Sequence, residues 1–150
     1  ARTGIPVPAD ATSKPIGTRP SGMREREAEA YKAEPRDPLA DAVKAYIGGR
    51  DWISPWVLRS RALEYEGYRP GDVLLVDLNA EPRPGDVVCA QFYDWQRSGA
   101  ETVFRLCQPP VLIGTGADEA FRKPRLVDDT NVAIKGVVLM SFRGRVDRSG

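Results

Sequence analysis

The chain has 150 residues, 41% of them hydrophobic, and a formal net charge of +1. This is enough for one modest core with a tail, and it gives no strong field toward nucleic acid, membrane or an acidic substrate. Histidine is absent, which excludes a Ser-His-Asp triad, a Cys-His dyad and a histidine-based zinc site.

Residues 1–22 carry Pro6, Pro8, Pro15 and Pro20 among Ala, Thr, Ser and Gly, a composition that reads as a flexible linker. Met23 to Ala33 is rich in Glu, Arg and Ala without an apolar stripe, so any helix there is exposed and weakly held. A better helix follows. Asp37 can cap it, Pro38 suits its first turn, Leu39, Val43 and Tyr46/Ile47 recur at helical spacing, and Gly48-Gly49 stops it. It serves either as a lid on a sheet or as a partner-docking surface.

Beyond Asp51 the pattern changes to short β-type runs: Trp56 to Leu58, Val73 to Leu78, Val87 to Tyr93, Thr102 to Cys107, Val111 to Ile113 and Val132 to Phe142. Between them lie the turn signals Pro70-Gly71-Asp72, Pro84-Gly85-Asp86, Ser98-Gly99 and Gly114-Thr115-Gly116. Arg-Pro-Gly-Asp-Val occurs twice, fourteen residues apart, each copy launching an apolar strand. Two copies make repeated turn chemistry, not a solenoid. Cys89 and Cys107 fall in strand-like runs and read as small buried hydrophobes; a disulfide between them requires their strands to pair. The expected organisation is a linker and leader over 1–35, a packing helix over 36–50 and a β domain over 51–145.

Four blocks in this order carry a family resemblance. Arg61-Ala62-Leu63-Glu64-Tyr65-Glu66-Gly67-Tyr68-Arg69-Pro70-Gly71-Asp72 runs into Val73-Leu74-Leu75-Val76-Asp77. Gly85-Asp86-Val87-Val88-Cys89-Ala90, then Thr102-Val103-Phe104-Arg105-Leu106, then Ile134-Lys135-Gly136-Val137-Val138 complete the set. Together they resemble the C-terminal domain of LexA/UmuD/phage CI repressors, the S24-type peptidases. The resemblance implies a mainly β, LexA/signal-peptidase-like complex fold behind a short helical leader.

That family uses a serine nucleophile and a desolvated, neutral lysine as general base. Counting back from Gly71-Asp72 puts the serine position on Ala62, and the lysine position of the Thr-Val-Lys-Arg-Leu strand falls on Phe104. Neither side chain can perform its step, so the resemblance implies a non-catalytic domain with a degenerate dyad. Ser60 is the alternative nucleophile, but none of Lys14, Lys32, Lys44, Lys123 or Lys135 lies on the strand that should supply the base, and Arg105 stays charged. The Ala-Gly or Cys-Gly bond cut in the family does not occur between residues 23 and 61; Gly48-Gly49 is available there, but its place after the helix fits a C-cap equally well.

With catalysis removed, the resemblance implies a cytoplasmic homodimerisation domain of a transcriptional repressor, pairing through the last strand at Val137, Val138, Leu139, Met140 and Phe142. That run is also what a central core strand looks like. DNA would be read by a helix-turn-helix upstream of Ala1, and an antirepressor protein is a possible partner. The alternatives are a self-cleaving peptidase using Ser60, and a stand-alone module that pairs with LexA-like proteins. The old cleft between Ala62 and Phe104 is a candidate peptide or ligand site. No cofactor, metal or membrane association is expected. Arg50-Asp51-Trp52, Tyr93 to Arg97 and Phe142 to Arg145 mix aromatic and basic residues, but acids and glycine dilute each one, short of a phosphate-binding footprint.

Overall fold

A computed structural model describes residues 26–144. Eight strands form one antiparallel sheet: β1 (Ala28–Ala30), β2 (Ile53–Leu58), β3 (Val73–Asp77), β4 (Val87–Asp94), β5 (Gly99–Gln108), β6 (Val111–Ile113), β7 (Arg125–Leu126) and β8 (Val132–Phe142). Their order across the sheet is β1-β2-β3-β8-β4-β5-β6-β7. The mainly β class expected from the turn-punctuated runs is therefore observed, and β6 and β8 have the expected bounds. Among the described residues two helices accompany the sheet, α1 (Ala40–Ile47) and the single turn α2 (Glu119–Arg122), with a 3-10 turn at Glu64–Glu66.

The long apolar runs follow from burial on both faces. Along β3, Leu74 and Val76 join a core with Leu58, Leu63, Cys89 and Phe104. Val73 and Leu75 point the other way, into a core with Val43 and Ile53. On β4, Cys89 serves the first of these, while Val88 and Ala90 join Val103, Cys107 and Leu112 in a third. Both cysteines are buried and free, and burial pushes the Cys89 thiol up to about 12.

Helix α1 is a lid on the sheet, with Leu39, Val43, Tyr46 and Ile47 packed against Ile53, Val73, Leu75, Leu139 and Phe142. Its start differs from expectation. Leu39 holds the cap position, while the Asp37 carboxylate accepts the Leu39 amide at 2.9 Å and also the Tyr31 hydroxyl. Asp37 thus organises the approach to the helix from two residues upstream. Gly48, at φ +58°, ends it.

The leader also departs from expectation. Within the Glu/Arg/Ala-rich stretch, Ala28–Ala30 is a strand paired to β2, and Ala28 is buried in the core. Helix propensity predicts the opposite, but it is a weak prior and tertiary pairing overrides it. The folded unit therefore includes residues assigned to the leader by composition; the linker reading of residues 1–22 lies outside the described residues. β1 also lies against β5, five places away in strand order, so the sheet curls back on itself.

The repeated Arg-Pro-Gly-Asp turns have matching structures. Asp72 accepts the Arg69 amide at 2.9 Å and Asp86 accepts the Arg83 amide at 2.8 Å through their carboxylates. Gly71 at φ +99° and Gly85 at φ +90° take the left-handed corner that glycine tolerates. Each glycine amide then bonds a neighbouring strand, Gly71 to Leu58 and Gly85 to Cys107. The repeat thus fixes the start of β3 against β2 and of β4 against β5.

A carboxylate also builds the turn before β8. Asp128 accepts backbone amides from Thr130, Asn131 and Val132 at 2.9, 2.7 and 3.0 Å. These donors hold its pKa down to about 2. The folded value lies below the unfolded one, so this contribution is present above about pH 4 and disappears as pH falls toward 2. Asp128→Asn is expected to lower Tm at neutral pH and to flatten the loss of Tm between pH 4 and 2, measured by calorimetry.

Candidate functional site

The two positions matching the family dyad are both sealed in the protein. Ala62 and Phe104 are each 0% exposed. Phe104 packs in one core with Leu63, so the connector carrying Ala62 lies close to the strand carrying Phe104. Cys89 stands opposite Phe104 in the β4–β5 register. No open cleft exists at these two side chains; the ligand-binding cleft considered from sequence is filled by the phenyl ring and its neighbours.

A second layer closes over Ala62 from the Gly114–Gly116 segment. The Thr115 amide donates to the Ala62 carbonyl at 2.6 Å, and the Tyr65 amide donates to the Thr115 carbonyl at 2.9 Å. The Ala117 amide adds a bond to the Glu64 carboxylate at 2.9 Å. Both glycines are required by close approach. A Cβ on Gly114 would lie 2.5 Å from the Phe121 carbonyl oxygen, and one on Gly116 would lie 2.7 Å from that of Arg61. From sequence this segment is a turn; its role as a cover over the connector was not legible.

At the end of the connector, Asp72 anchors the residue that follows β8. Its buried carboxylate accepts two bonds from Arg143, both at 2.8 Å, and Arg143 also reaches the Gly67 carbonyl. This bidentate pairing with Asp72 pushes the Arg143 pKa further up.

Ser60 is placed beside a carboxylate. Its hydroxyl donates to Glu27 at 3.3 Å and accepts the Ala62 amide at 3.3 Å. The latter bond, from two residues on, is a local serine turn. Glu27 is itself bound at both oxygens by Arg105, at 2.7 and 3.1 Å. Ser60 therefore touches a carboxylate already committed to a guanidinium, and no lysine among the described residues hydrogen-bonds the hydroxyl. Among the described residues, no neutral amine base of the family type contacts this hydroxyl.

The Glu27–Arg105 pair is the feature that sequence reading missed. Glu27 is 3% and Arg105 5% exposed, and the two lie 78 residues apart in the chain. Arg105 is further held between the rings of Phe92 and Phe121, 5.3 Å from each centroid, and by the Phe104 carbonyl at 2.9 Å. The pair joins the residue before β1 to the middle of β5 and so pins the curl of the sheet. The sequence signal available was an arginine alternating with apolar residues on a strand, which implies a buried charge in need of a partner.

The residues assigned to self-association pair with β3 along one edge over Val137–Phe142, whereas the pairing with β4 covers Val132–Val137 and meets only Val137 of them. Val137, Val138, Leu139 and Phe142 pack against the three cores. Met140 is 36% exposed. Gly136 is required by close approach, since a Cβ there would lie 2.6 Å from Val76.

Among the described residues no three His, Cys, Asp or Glu side chains are grouped to hold a metal ion. No described helix is long and apolar enough to cross a membrane. No known protein family and no curated protein gives a match to this chain.

Proposed function

We propose that this chain is a non-catalytic C-terminal domain of the LexA/phage-repressor type, which pairs two copies of an upstream DNA-binding module. The observation that carries this reading is the state of the two dyad positions. Ala62 and Phe104 are both apolar and fully buried, and Leu63, next to Ala62, shares a core with Phe104. The ordered sequence blocks and the curled antiparallel sheet support the same reading. Pairing raises the effective concentration of a second DNA-binding module on a palindromic site.

Sedimentation equilibrium tests the association. The chain is expected to form dimers at micromolar concentration; a strict monomer at high micromolar concentration would contradict the proposal. Met140→Glu places a charge on the exposed part of β8 and is expected to weaken the dimer by about tenfold or more. Unchanged circular dichroism and Tm in this variant assign the loss to the surface. An unchanged dissociation constant would remove β8 from the interface.

A further inference from the structure

One cavity lies outside the dyad positions, on the side of β5 that carries Arg105. It has a volume of about 110 Å³ and is lined by Glu27, Phe92, Arg105, Phe121, Lys123 and Arg125, together with Ala120. Such a space suits one small polar group and a few waters, not a large ligand.

The charges in it are unequal. Glu27 and Arg105 neutralise each other through their bidentate contact. Lys123 and Arg125 have no carboxylate within ion-pair distance among the described residues. Glu101, which stands opposite Phe92 in the strand register, does not line the cavity. Among the described residues, two positive charges without a carboxylate at ion-pair distance therefore face one concavity.

Surface cations are ordinarily solvated and mobile, but Arg125 is not free to move in that way. Its guanidinium lies 4.2 Å from the centroid of Phe92, whose ring also contacts Arg105. Contact with the ring restrains the guanidinium, and a guanidinium edge is a planar fork suited to two oxygens of one anion. Phe121, held by Arg105, supplies an apolar wall, and the buried ion pair supplies a rigid floor.

We propose that this cavity binds the oxyanion of a small ligand, a carboxylate or a phosphoryl group, between Lys123 and Arg125. Arg125 orients the anion, Lys123 closes over it from the exposed side, and the ligand body rests on Phe121. The site stands independently of whether the domain pairs DNA-binding modules.

The test is titration of the isotopically labelled chain with benzoate and, separately, with inorganic phosphate, at ionic strength held constant with sodium chloride. Saturable amide shifts centred on Phe92, Arg105 and Phe121 to Arg125 are expected with at least one probe. Saturation by benzoate alone identifies a carboxylate on an apolar body, and saturation by phosphate alone identifies a phosphoryl group. In Lys123→Gln/Arg125→Gln the affinity is expected to fall about tenfold or more. Lys123→Gln alone, which leaves the stacked arginine in place, is expected to show an intermediate loss. Failure of both probes to saturate, or unchanged affinity in the double variant, would overturn the proposal.

Discussion

Introducing lysine at Phe104 is expected to destabilise the domain by about 5 kcal/mol or more at pH 7, comparable with the whole stability of many domains. Phe104 is fully buried among Leu58, Leu63, Leu74, Val76 and Cys89. Truncating such a ring costs about 3–5 kcal/mol in lost burial and cavity formation. A lysine stem refills part of the space, but its ammonium must be desolvated or neutral, and each unit of pKa depression costs about 1.4 kcal/mol. The sign of the pH response follows. With a folded pKa below the unfolded value near 10.4, the unfolded chain binds more protons, so the variant gains stability relative to the parent as pH rises toward 10. Phe104→Met, which fills much of the volume without the charge, should cost about 1–3 kcal/mol. Urea unfolding across pH distinguishes these outcomes; a lysine variant as stable as the methionine variant at pH 7 would show that position 104 is wetter than its surroundings indicate.

The second large effect is expected at the Glu27–Arg105 pair. Removing one partner leaves a buried charge uncompensated and costs about 3–5 kcal/mol. Arg105→Met and Glu27→Leu should each approach that value. The double variant should recover most of the loss, because two apolar side chains of similar length avoid desolvating two ions. A double-mutant cycle followed by urea unfolding isolates the coupling. The single variants should also free β1, read as faster exchange at the Arg59 amide, which donates to the Glu27 carbonyl at 2.7 Å. Additive single effects would mean that the two residues act separately and that the curl of the sheet is held by something else.

Much of the sheet was legible because local chemistry and tertiary need coincide. The Pro-Gly-Asp turns specify their own corner, with glycine at positive φ and aspartate closing on the preceding arginine amide. The runs that follow are apolar on both faces because each face meets a different core. Helix α1 was visible from its spacing for the same reason.

The features that were not legible depend on distant partners. β1 is strand because an existing edge accepts it and Glu27 reaches a guanidinium on β5; nothing local in Glu27-Ala28-Glu29-Ala30 favours extension. The cover formed by Gly114–Gly116 was hidden because close approach, unlike a turn, leaves no local pattern beyond small residues. For the candidate site, the resemblance pointed to Ala62 and Phe104 but could not tell an apolar cleft from a filled core. Volume decides that: Phe104 occupies the space, and Ala62 lies beneath a hydrogen-bonded segment.

Prolonged incubation of the purified chain at alkaline pH, followed by intact-mass measurement, tests the central claim most directly. With alanine and phenylalanine at the positions that the resemblance assigns to the dyad, and Ser60 bonded to a carboxylate already held by arginine, the mass is expected to remain that of the full chain. A cut between residues 23 and 61 that disappears in Ser60→Ala would contradict the account and make the protein an active serine peptidase.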